Sequence, residues 1–405
     1  MVILGTYDNR SITISAKHNC FTLSIQERGY AQVMSYDYTG RLWTAMLDSV
    51  SYRRGLDGKI VAKWQTPDGG RGRRWLPPEQ AIQIEDQARR LVLEVYQALQ
   101  QGQAQVDTPL PSQATLGFER AIAFDAGSSQ TDARRYHQVY KPVGILPPDQ
   151  YMAVVLQATE GCAFNTCTYC EFFRDRPFRI KTVDEYLAHA QAVRDYLGEG
   201  LSLRRTIFLG DANALVAPMP RLLPLVEATH QVYDVQQLGG IYAFLDGFSG
   251  GKKSARDYRA LVERGLARAY VGLESGNAGL LKFLRKPGIP SDALQAVRNL
   301  KEGGVAVGII VLLGAGGNAY AQDHVRDTIR LVNAMPLDRD DIIYFSELIE
   351  SEGMPYVKDA YQAGLQPLTS AERLAQAEQI EAGLRFSRRG GTPMISRYDI
   401  REFVY

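Results

Sequence analysis

The sequence predicts an α/β protein in which a partial (β/α)6 barrel of the TIM-like kind follows a smaller N-terminal β-rich domain. Between residues 11 and about 65, apolar and polar residues alternate with a period of two, which is typical of strands with one buried face. After residue 148 the pattern changes to six short apolar runs, each followed by a helical stretch. Such repeats favour parallel strands joined by right-handed crossovers and closed, or half closed, into a barrel.

The N-terminal β-rich domain is predicted to span residues 1–105 and to end in a helix. Pro77 and Pro78 introduce that helix, because proline is favoured in a first helical turn, and good helix formers follow them. Turn-forming residues separate the apolar runs before it, so a small antiparallel sheet is the best interpretation. All three tryptophans belong to this part of the chain. One interpretation is that the tryptophans fill the core of this sheet or its interface with the larger domain. The other is that the sheet that carries them shapes or covers a substrate site.

The limits of the other parts follow from composition and pattern. Residues 106–148 are rich in Gln, Gly, Ser and Pro and are predicted to be a connector with one short strand at residues 121–125. The barrel is predicted over residues 149–350, and a helical extension with a short final strand over residues 351–405. The six predicted barrel strands span residues 153–158, 206–210, 240–246, 270–274, 307–314 and 342–348. The predicted helices between and after them lie near residues 182–197, 218–231, 253–264, 291–302, 321–334 and 369–386.

Charge and composition exclude several classes of protein. The chain has 46 Lys and Arg residues against 45 Asp and Glu residues, a formal net charge of +1, and so lacks the basic excess usual in nucleic-acid-binding proteins. No apolar run approaches the roughly 20 residues of a membrane helix, and the N-terminus has no signal-peptide pattern. We therefore expect a cytoplasmic protein with no membrane partner. With only four cysteines, a disulfide framework is not expected.

Three of the four cysteines lie in one loop, GCAFNTCTYC, at Cys162, Cys167 and Cys170. Zinc and an iron–sulfur cluster are the two candidate occupants of such a trio. A structural zinc ion needs a fourth protein ligand, for which the candidates are His137, His189 and Cys20. Three thiolates without a fourth leave one coordination position open, and there we expect the chemistry.

The loops after the predicted strands indicate where an active site lies. In barrels of parallel strands, these loops share the end that carries the catalytic residues. The cysteine loop follows the first predicted strand, GDAN the second, DGFSGG the third, ESGN the fourth and GAGGN the fifth. Polar and glycine-rich loops therefore meet at one end of the barrel. In the third loop, Asp246 is a candidate for substrate contact or for proton transfer. The competing interpretation is an aspartate that only stabilises a turn.

The cysteine loop, with Tyr169 directly before its last cysteine, resembles the cluster loop of the radical S-adenosylmethionine superfamily. The usual spacing there is three residues and then two, whereas here it is four and then two. The resemblance implies that Cys162, Cys167 and Cys170 hold a four-iron four-sulfur cluster. It also implies that the amino and carboxyl groups of S-adenosylmethionine chelate the fourth iron, with Tyr169 beside the cofactor.

Later segments extend the resemblance over residues 151 to about 350. FLGDANAL occupies the place of the superfamily's segment that meets the methionine amino group, with Gly210, Asp211 and Asn213 as the matching positions. YVGLESGN resembles a segment of the branch that contains oxygen-independent coproporphyrinogen dehydrogenase, the methylthiotransferases and the elongator catalytic subunit.

The resemblance also assigns roles at the fourth and fifth strands. It implies that Glu274 and Ser275 approach the ribose or the carboxylate of the cofactor. VGIIVLLGAGG resembles the superfamily's fifth-strand motif, so Gly314 and Gly316 are expected to lie along the adenine, where glycine permits close approach. Taken alone, these glycines also fit a plain strand-to-helix turn, and Glu274 also fits a helix cap or a surface carboxylate.

The function implied by the resemblance is the reductive cleavage of S-adenosylmethionine to a 5′-deoxyadenosyl radical, which abstracts hydrogen from a small organic substrate. An electron donor such as flavodoxin or ferredoxin is implied as a partner. Whether the enzyme is an oxidoreductase, a lyase or a transferase is left open. Two alternatives remain: an RNA-modifying enzyme of the same superfamily, which the neutral charge disfavours, and a non-catalytic zinc-binding module.

Overall fold

A computed structural model describes residues 1–67, 69–387 and 390–405. The chain divides into two compact units, of which the first comprises residues 1–143, 191–205 and 402–405 and the second residues 144–190 and 206–401. The domain limits predicted from the sequence at residues 105, 148 and 350 stay predictions.

The first unit contains an antiparallel sheet, to which nine strands of the described residues belong. The strands are β1 (Val2–Tyr7), β2 (Arg10–Ala16), β3 (Phe21–Gln26), β4 (Ala31–Tyr36), β5 (Leu42–Leu47), β6 (Val50–Arg54), β7 (Ile60–Gln65), β8 (Arg71–Trp75) and β9 (Ala104–Val106). Consecutive strands pair from β8 back to β1, and β9 adds to the free edge of β1. This order confirms the antiparallel sheet expected from the alternating pattern.

Three helices accompany this sheet: α1 (Pro78–Gln100), α2 (Ser112–Ala123) and α3 (Ala126–Val139). The short strand predicted at residues 121–125 is wrong, because that stretch contains the end of α2. Its buried residues Ala114, Phe118 and Ala121 recur at helical spacing, and Phe118 packs on the ring of Phe21 at a centroid distance of 4.7 Å.

The tryptophans of this unit do not form its core. Trp75 is 43% exposed, and Trp43 and Trp64 are half-buried. The Trp64 ring lies over Gly72 on the neighbouring strand, where a side chain would collide with it. The buried core consists instead of aliphatic residues, alanines and the rings around Phe118.

The second unit contains a parallel sheet, in which the described residues form seven strands. In sheet order these are β10 (Ala153–Gln157), β13 (Thr206–Gly210), β14 (Ile241–Asp246), β15 (Leu266–Glu274), β16 (Ala306–Leu313), β17 (Ile342–Glu347) and β18 (Met394–Tyr398). Two short strands, β11 (Thr159–Glu160) and β12 (Arg179–Ile180), pair beside the end of β10. The six predicted strands are confirmed, and β18 extends the partial barrel by one more.

The described helices around these strands are α4 (Val183–Leu197), α5 (Met219–Val232), α6 (Ala255–Val262), α7 (Ala278–Phe283), α8 (Pro290–Glu302), α9 (Gly317–Asn333), α10 (Pro355–Gln362) and α11 (Ser370–Gly383). Six of them fall close to their predicted positions, whereas α7 and α10 were not predicted. Ser254 and Thr369 cap α6 and α11 through reciprocal hydrogen bonds with Asp257 and Glu372, which fixes where both helices begin. In the part of the chain that the structure describes, no helix is both long and apolar enough to cross a membrane.

Aromatic rings fill the interior of the partial barrel below the carboxyl ends of its strands. Phe208, Phe244, Tyr270 and Tyr344 belong to four different strands, and the ring of Tyr270 lies within 6.5 Å, centroid to centroid, of each of the other three. Layers of side chains of this kind make the inside of a barrel a packed core. Above them, at the carboxyl ends of the strands, the interior opens into a cavity.

Candidate functional site

The cavity at the carboxyl ends of the strands has a volume of about 350 Å³ and collects most of the residues singled out in the sequence. Its lining is largely apolar and aromatic, with Phe164, Phe172, Phe173, Phe244 and Phe248 among its rings. The polar and ionisable side chains in its wall include Cys162, Cys167, Cys170, Tyr169, Asn213, Asp246, Glu274, Lys286, Ser346 and Tyr398. An apolar cavity with a few convergent polar groups is the usual form of a small-molecule site.

The cysteine loop owes its curl to two residues with positive φ. Gly161 has φ 72°, and a Cβ there would lie 2.8 Å from the carbonyl oxygen of Pro177, so only glycine fits. Asn165 has φ 47°, and its side-chain nitrogen donates to the Phe173 carbonyl at 3.2 Å. Its backbone N–H points to the Cys162 sulfur at 3.5 Å. The loop backbone therefore wraps around the thiols.

Contacts outside the loop hold its second half. Arg174 donates to the carbonyl oxygens of Cys170 and Cys167 at 2.9 and 2.8 Å. The backbone N–H of Thr168 donates to the Leu284 carbonyl at 3.0 Å, next to α7. Because these carbonyls have partners, the turn between the last two cysteines is fixed before any metal binds.

The thiols fit an iron–sulfur cluster by their chemistry. All three cysteines are free thiols that line the cavity, and burial raises the pKa of Cys167 and raises the pKa of Cys170 to about 12. Cys167 and Cys170 are therefore protonated at neutral pH, and a metal that binds them must displace the protons. His189, a candidate fourth ligand for zinc, instead accepts a hydrogen bond at Nε2 from the backbone N–H of Gln157 at 3.0 Å. Across residues 1–67, 69–387 and 390–405, no three His, Cys, Asp or Glu side chains are arranged for a single metal ion.

Asp211, at the end of β13, ties the cysteine loop to the barrel. Its carboxylate accepts hydrogen bonds from Arg176 Nε at 2.8 Å, from the Gly161 N–H at 3.1 Å and from the Gln157 amide at 3.0 Å. Burial raises the pKa of Asp211, and Arg176 opposes that shift. The carboxylate thus faces protein donors, and neither Asp211 nor the adjacent Gly210 is among the residues that line the cavity.

Asn213 does line the cavity and has an unsatisfied oxygen. Its Nδ2 donates to Asp246, which also accepts from the Ser249 N–H at 2.6 Å. Its Oδ1 is buried and has no hydrogen-bond partner among the described residues. A buried acceptor without a partner is costly, so this oxygen is suited to an N–H donor of a bound molecule. Asp246 orients the amide and shares the cavity wall with it.

Glu274 ends β15 in a left-handed conformation, φ 60°, beside Lys286 and Tyr169. Its Oε1 lies 3.0 Å from Lys286 Nζ, which lies 3.5 Å from the Tyr169 hydroxyl. Burial lowers the pKa of Lys286, yet Glu274 and Cys167 hold it above its ordinary value. The pair therefore places a carboxylate and an ammonium group in the cavity wall beside the cysteine loop.

The remaining predicted residues support loops around the cavity. Ser275 is fully buried, with its Oγ 2.7 Å from His324 Nδ1. The backbone N–H groups of Gly314 and Gly316 donate to Gln376 and Tyr356 at 2.8 and 2.9 Å. None of the three belongs to the residues that line the cavity, and the cofactor contacts predicted for them stay predictions.

The polar residues of the cavity that were not singled out from the sequence include Lys286, Ser346 and Tyr398. Lys286 follows α7 in an ordinary basic stretch, so no local pattern marks it. Ser346 and Tyr398 face each other across β17 and β18. Only the parallel pairing of β18, which is distant in the sequence, brings Tyr398 to the site.

A partial barrel of parallel strands, with three free thiols of one loop in the cavity at its carboxyl end, is suited to holding a metal cluster in an open site. Residues 156–332 match the family model described as Radical SAM superfamily, so this part of the chain is similar to that superfamily. Enzymes of that superfamily use a four-iron four-sulfur cluster and S-adenosylmethionine, the cofactors expected from the sequence. The match disfavours the alternative of a non-catalytic zinc-binding module.

Solved structures of other proteins match parts of the chain. Coproporphyrinogen III oxidase from Escherichia coli has 12% identity and a TM-score of 0.42, over 55% of this chain and 50% of that one. Methylornithine synthase has 14% identity and a TM-score of 0.40, over 60% and 70%. A radical S-adenosylmethionine methyltransferase from Kitasatospora setae has 11% identity and a TM-score of 0.38, over 61% and 56%. Likeness of this extent carries no information on substrate, and no curated protein sequence matches the chain.

Proposed function

We propose that this enzyme cleaves S-adenosylmethionine reductively and that the resulting 5′-deoxyadenosyl radical abstracts hydrogen from a small organic substrate. The observation that carries the proposal is the cysteine loop itself, whose three thiols line one cavity at the carboxyl ends of the barrel strands. A cluster held by three thiolates keeps one iron free of protein, and that iron is open to a ligand with amino and carboxyl groups.

The chain's own residues provide the binding site. Cys162, Cys167 and Cys170 hold the cluster, which when bound supplies the electron for cleavage. Asn213 Oδ1 accepts a hydrogen bond from the amino group of S-adenosylmethionine, because it is the buried acceptor without a partner in the cavity wall. Asp246 holds the Asn213 amide in the orientation that turns this oxygen away from Asp246.

The other predicted contacts with the cofactor are proposals of the same kind. Tyr169 and Glu274 lie in the cavity wall, so both side chains can contact the bound cofactor directly. Gly210, Asp211, Ser275, Gly314 and Gly316 shape the loops behind that wall, and their contacts with the cofactor rest on the resemblance.

The substrate proposed is small and largely apolar. A cavity of about 350 Å³ lined mainly by aromatic and aliphatic side chains suits a compact organic molecule. A flavodoxin or ferredoxin in the cytoplasm is the proposed electron donor, consistent with thiols that must stay reduced. An RNA-modifying reaction stays the alternative, and it predicts that a transcript rather than a metabolite is altered.

The test is anaerobic reconstitution with iron and sulfide, reduction, and incubation with S-adenosylmethionine. Release of 5′-deoxyadenosine is expected from the native chain and is expected to vanish in Cys162→Ala, Cys167→Ala and Cys170→Ala. Cys20→Ala is the matched control, because Cys20 is a buried thiol outside the cavity, and it should retain iron and activity. Release that persists in the three loop variants, or is absent from the reconstituted native chain, contradicts the proposal.

A further inference from the structure

A continuous row of tyrosine rings leads from the cavity to the opposite end of the partial barrel. Tyr398 lines the cavity, and its ring centroid lies 5.5 Å from that of Tyr344 in an edge-to-face contact. The Tyr344 ring lies 6.5 Å from that of Tyr270. Tyr344 and Tyr270 are almost fully buried. Three phenols from three different strands thus form one contact path through the barrel interior.

The far end of the row is built to accept protons. The hydroxyl groups of Tyr344 and Tyr270 both donate to the carboxylate of Asp149, the former at 2.8 Å. Arg268 forms an ion pair with the same carboxylate at 3.1 Å. A phenol that loses an electron must also lose its proton, and a hydrogen-bonded carboxylate is a ready acceptor. Asp149 is partly exposed, so it can exchange that proton with solvent.

A glycine on β16 leaves space for the contact between the rings of Tyr270 on β15 and Tyr344 on β17. Gly308 on β16 pairs with Tyr270, and a Cβ at Gly308 would overlap the Tyr270 ring. The missing side chain allows the ring to lie across β16 toward Tyr344 on β17. At the cavity end, Tyr398 pairs with Ser346, which also lines the cavity, and burial raises the pKa of Tyr398 to about 12. The Tyr398 phenol is therefore neutral and keeps its hydrogen atom.

We propose that Tyr398 donates a hydrogen atom to carbon radicals formed in the cavity, and that the oxidised state then moves to Tyr344 and Tyr270, whose phenol protons pass to Asp149. This inference rests on the proposed function, since it needs a carbon radical in the cavity. A phenolic O–H bond is weaker than an alkyl C–H bond, so the transfer is downhill. The row of tyrosines would therefore quench radicals that have not reacted with a substrate.

The step balances in atoms and electrons. The Tyr398 O–H bond breaks homolytically, a C–H bond forms on the radical, and a neutral tyrosyl radical remains. An electron then passes from Tyr344 to Tyr398, the Tyr344 proton moves to Asp149, and Tyr398 regains a proton from water in the cavity. A one-electron reductant of the flavodoxin or ferredoxin class then reduces the tyrosyl radical. The reduced tyrosine recovers its proton from Asp149.

The first test follows deuterium in the absence of substrate. The reconstituted native chain, exchanged into D₂O, is reduced without thiols and incubated with S-adenosylmethionine, and the 5′-deoxyadenosine is analysed by mass spectrometry. Deuterium from the exchanged phenol is expected in the native product and is expected to be lost in Tyr398→Phe. Tyr361→Phe, at an 87% exposed tyrosine of α10, is the control and should retain the label. Native product without deuterium, or equal labelling in Tyr398→Phe, overturns the inference.

A second readout does not depend on the variant. The native chain grown with ring-deuterated tyrosine and frozen during the same reaction should show a tyrosyl radical by electron paramagnetic resonance, with a narrowed signal. If Tyr398→Phe releases no 5′-deoxyadenosine, this signal decides the question, and its absence in the native chain overturns the inference. Absence of 5′-deoxyadenosine from the native chain instead refutes the proposed function, so the two failures are distinct.

Discussion

The Nε of Arg176 lies 2.8 Å from the carboxylate of Asp211, with both side chains more than nine-tenths buried. Arg176 follows the last cysteine by six residues, and Asp211 stands at the end of β13. Because Asp211 also accepts from the Gly161 N–H, one carboxylate fixes both ends of the cysteine loop to the barrel. The metal site therefore depends on an ion pair that contains none of its ligands.

Breaking that pair should destabilise the protein and reduce its iron content. Arg176→Met leaves a buried carboxylate without its charge partner, which costs about 3–5 kcal/mol of unfolding free energy. Urea denaturation and iron per chain after reconstitution are the measurements. Arg90→Met, which removes an exposed pair with Asp86 on α1, is the control and should cost about 0.5 kcal/mol or less. Full iron loading and unchanged stability in Arg176→Met would contradict this role.

Removing the unpaired oxygen of Asn213 should weaken the binding of S-adenosylmethionine. A hydrogen bond to a charged amino group contributes about 1.5–3 kcal/mol, so Asn213→Ala should raise the Kd at least about tenfold. Asn213→Asp keeps an oxygen acceptor at this position and should bind more tightly than the alanine variant. Equilibrium dialysis on the reconstituted protein measures the Kd of each variant. Equal affinities of the native protein and Asn213→Ala would contradict the proposed role of Asn213.

Burial of His324 should make the protein less stable in mild acid. Burial lowers the pKa of His324 to about 4, whereas a histidine in the unfolded chain titrates near its ordinary pKa of 6.5. Between these values only the unfolded chain binds the proton, so the stabilising contribution is complete above about pH 6.5 and declines as the pH falls toward 4, by up to about 3 kcal/mol.

The measurement is the urea-unfolding free energy at about pH 7 and about pH 5, with the native chain losing stability between them. His324→Gln should show a smaller loss over that interval, while His18→Gln, at an exposed loop position, should behave like the native chain. An identical pH dependence in native protein and His324→Gln is the outcome that would rule this out.

Filling the space at Gly308 should disturb the row of tyrosines. In Gly308→Ala the new methyl group meets the Tyr270 ring, and such overpacking costs about 1–3 kcal/mol. Gly251→Ala is the control, because its Cβ would meet no atom closer than 3.8 Å, and its effect should stay within about 0.5 kcal/mol. Thermal denaturation measures both, and equal midpoints would show that the Tyr270 ring moves aside without cost.

Some features of the site are local in the sequence and were therefore predictable. Cys162, Cys167 and Cys170 lie within nine residues, Asp246 ends the apolar run that forms β14, and Asn213 lies three residues after the end of β13. Parallel strands bring their carboxyl ends together, so residues at those ends were expected to meet, and Asn213 and Asp246 do share a hydrogen bond. Asp211 follows the same rule of position, but its carboxylate faces Arg176 and not the cavity.

The sequence by itself determined the order of the barrel strands and the loop that supplies the thiols, because hydrophobic period and residue spacing act over short stretches of chain. Only the tertiary structure decided that Lys286 stands against Glu274, that Tyr398 on β18 reaches the cavity, and that its ring continues a row toward Asp149. These contacts join residues that lie from 12 to 195 positions apart along the chain. Which of these residues meet depends on strand pairing and side-chain packing, and no local sequence pattern encodes either.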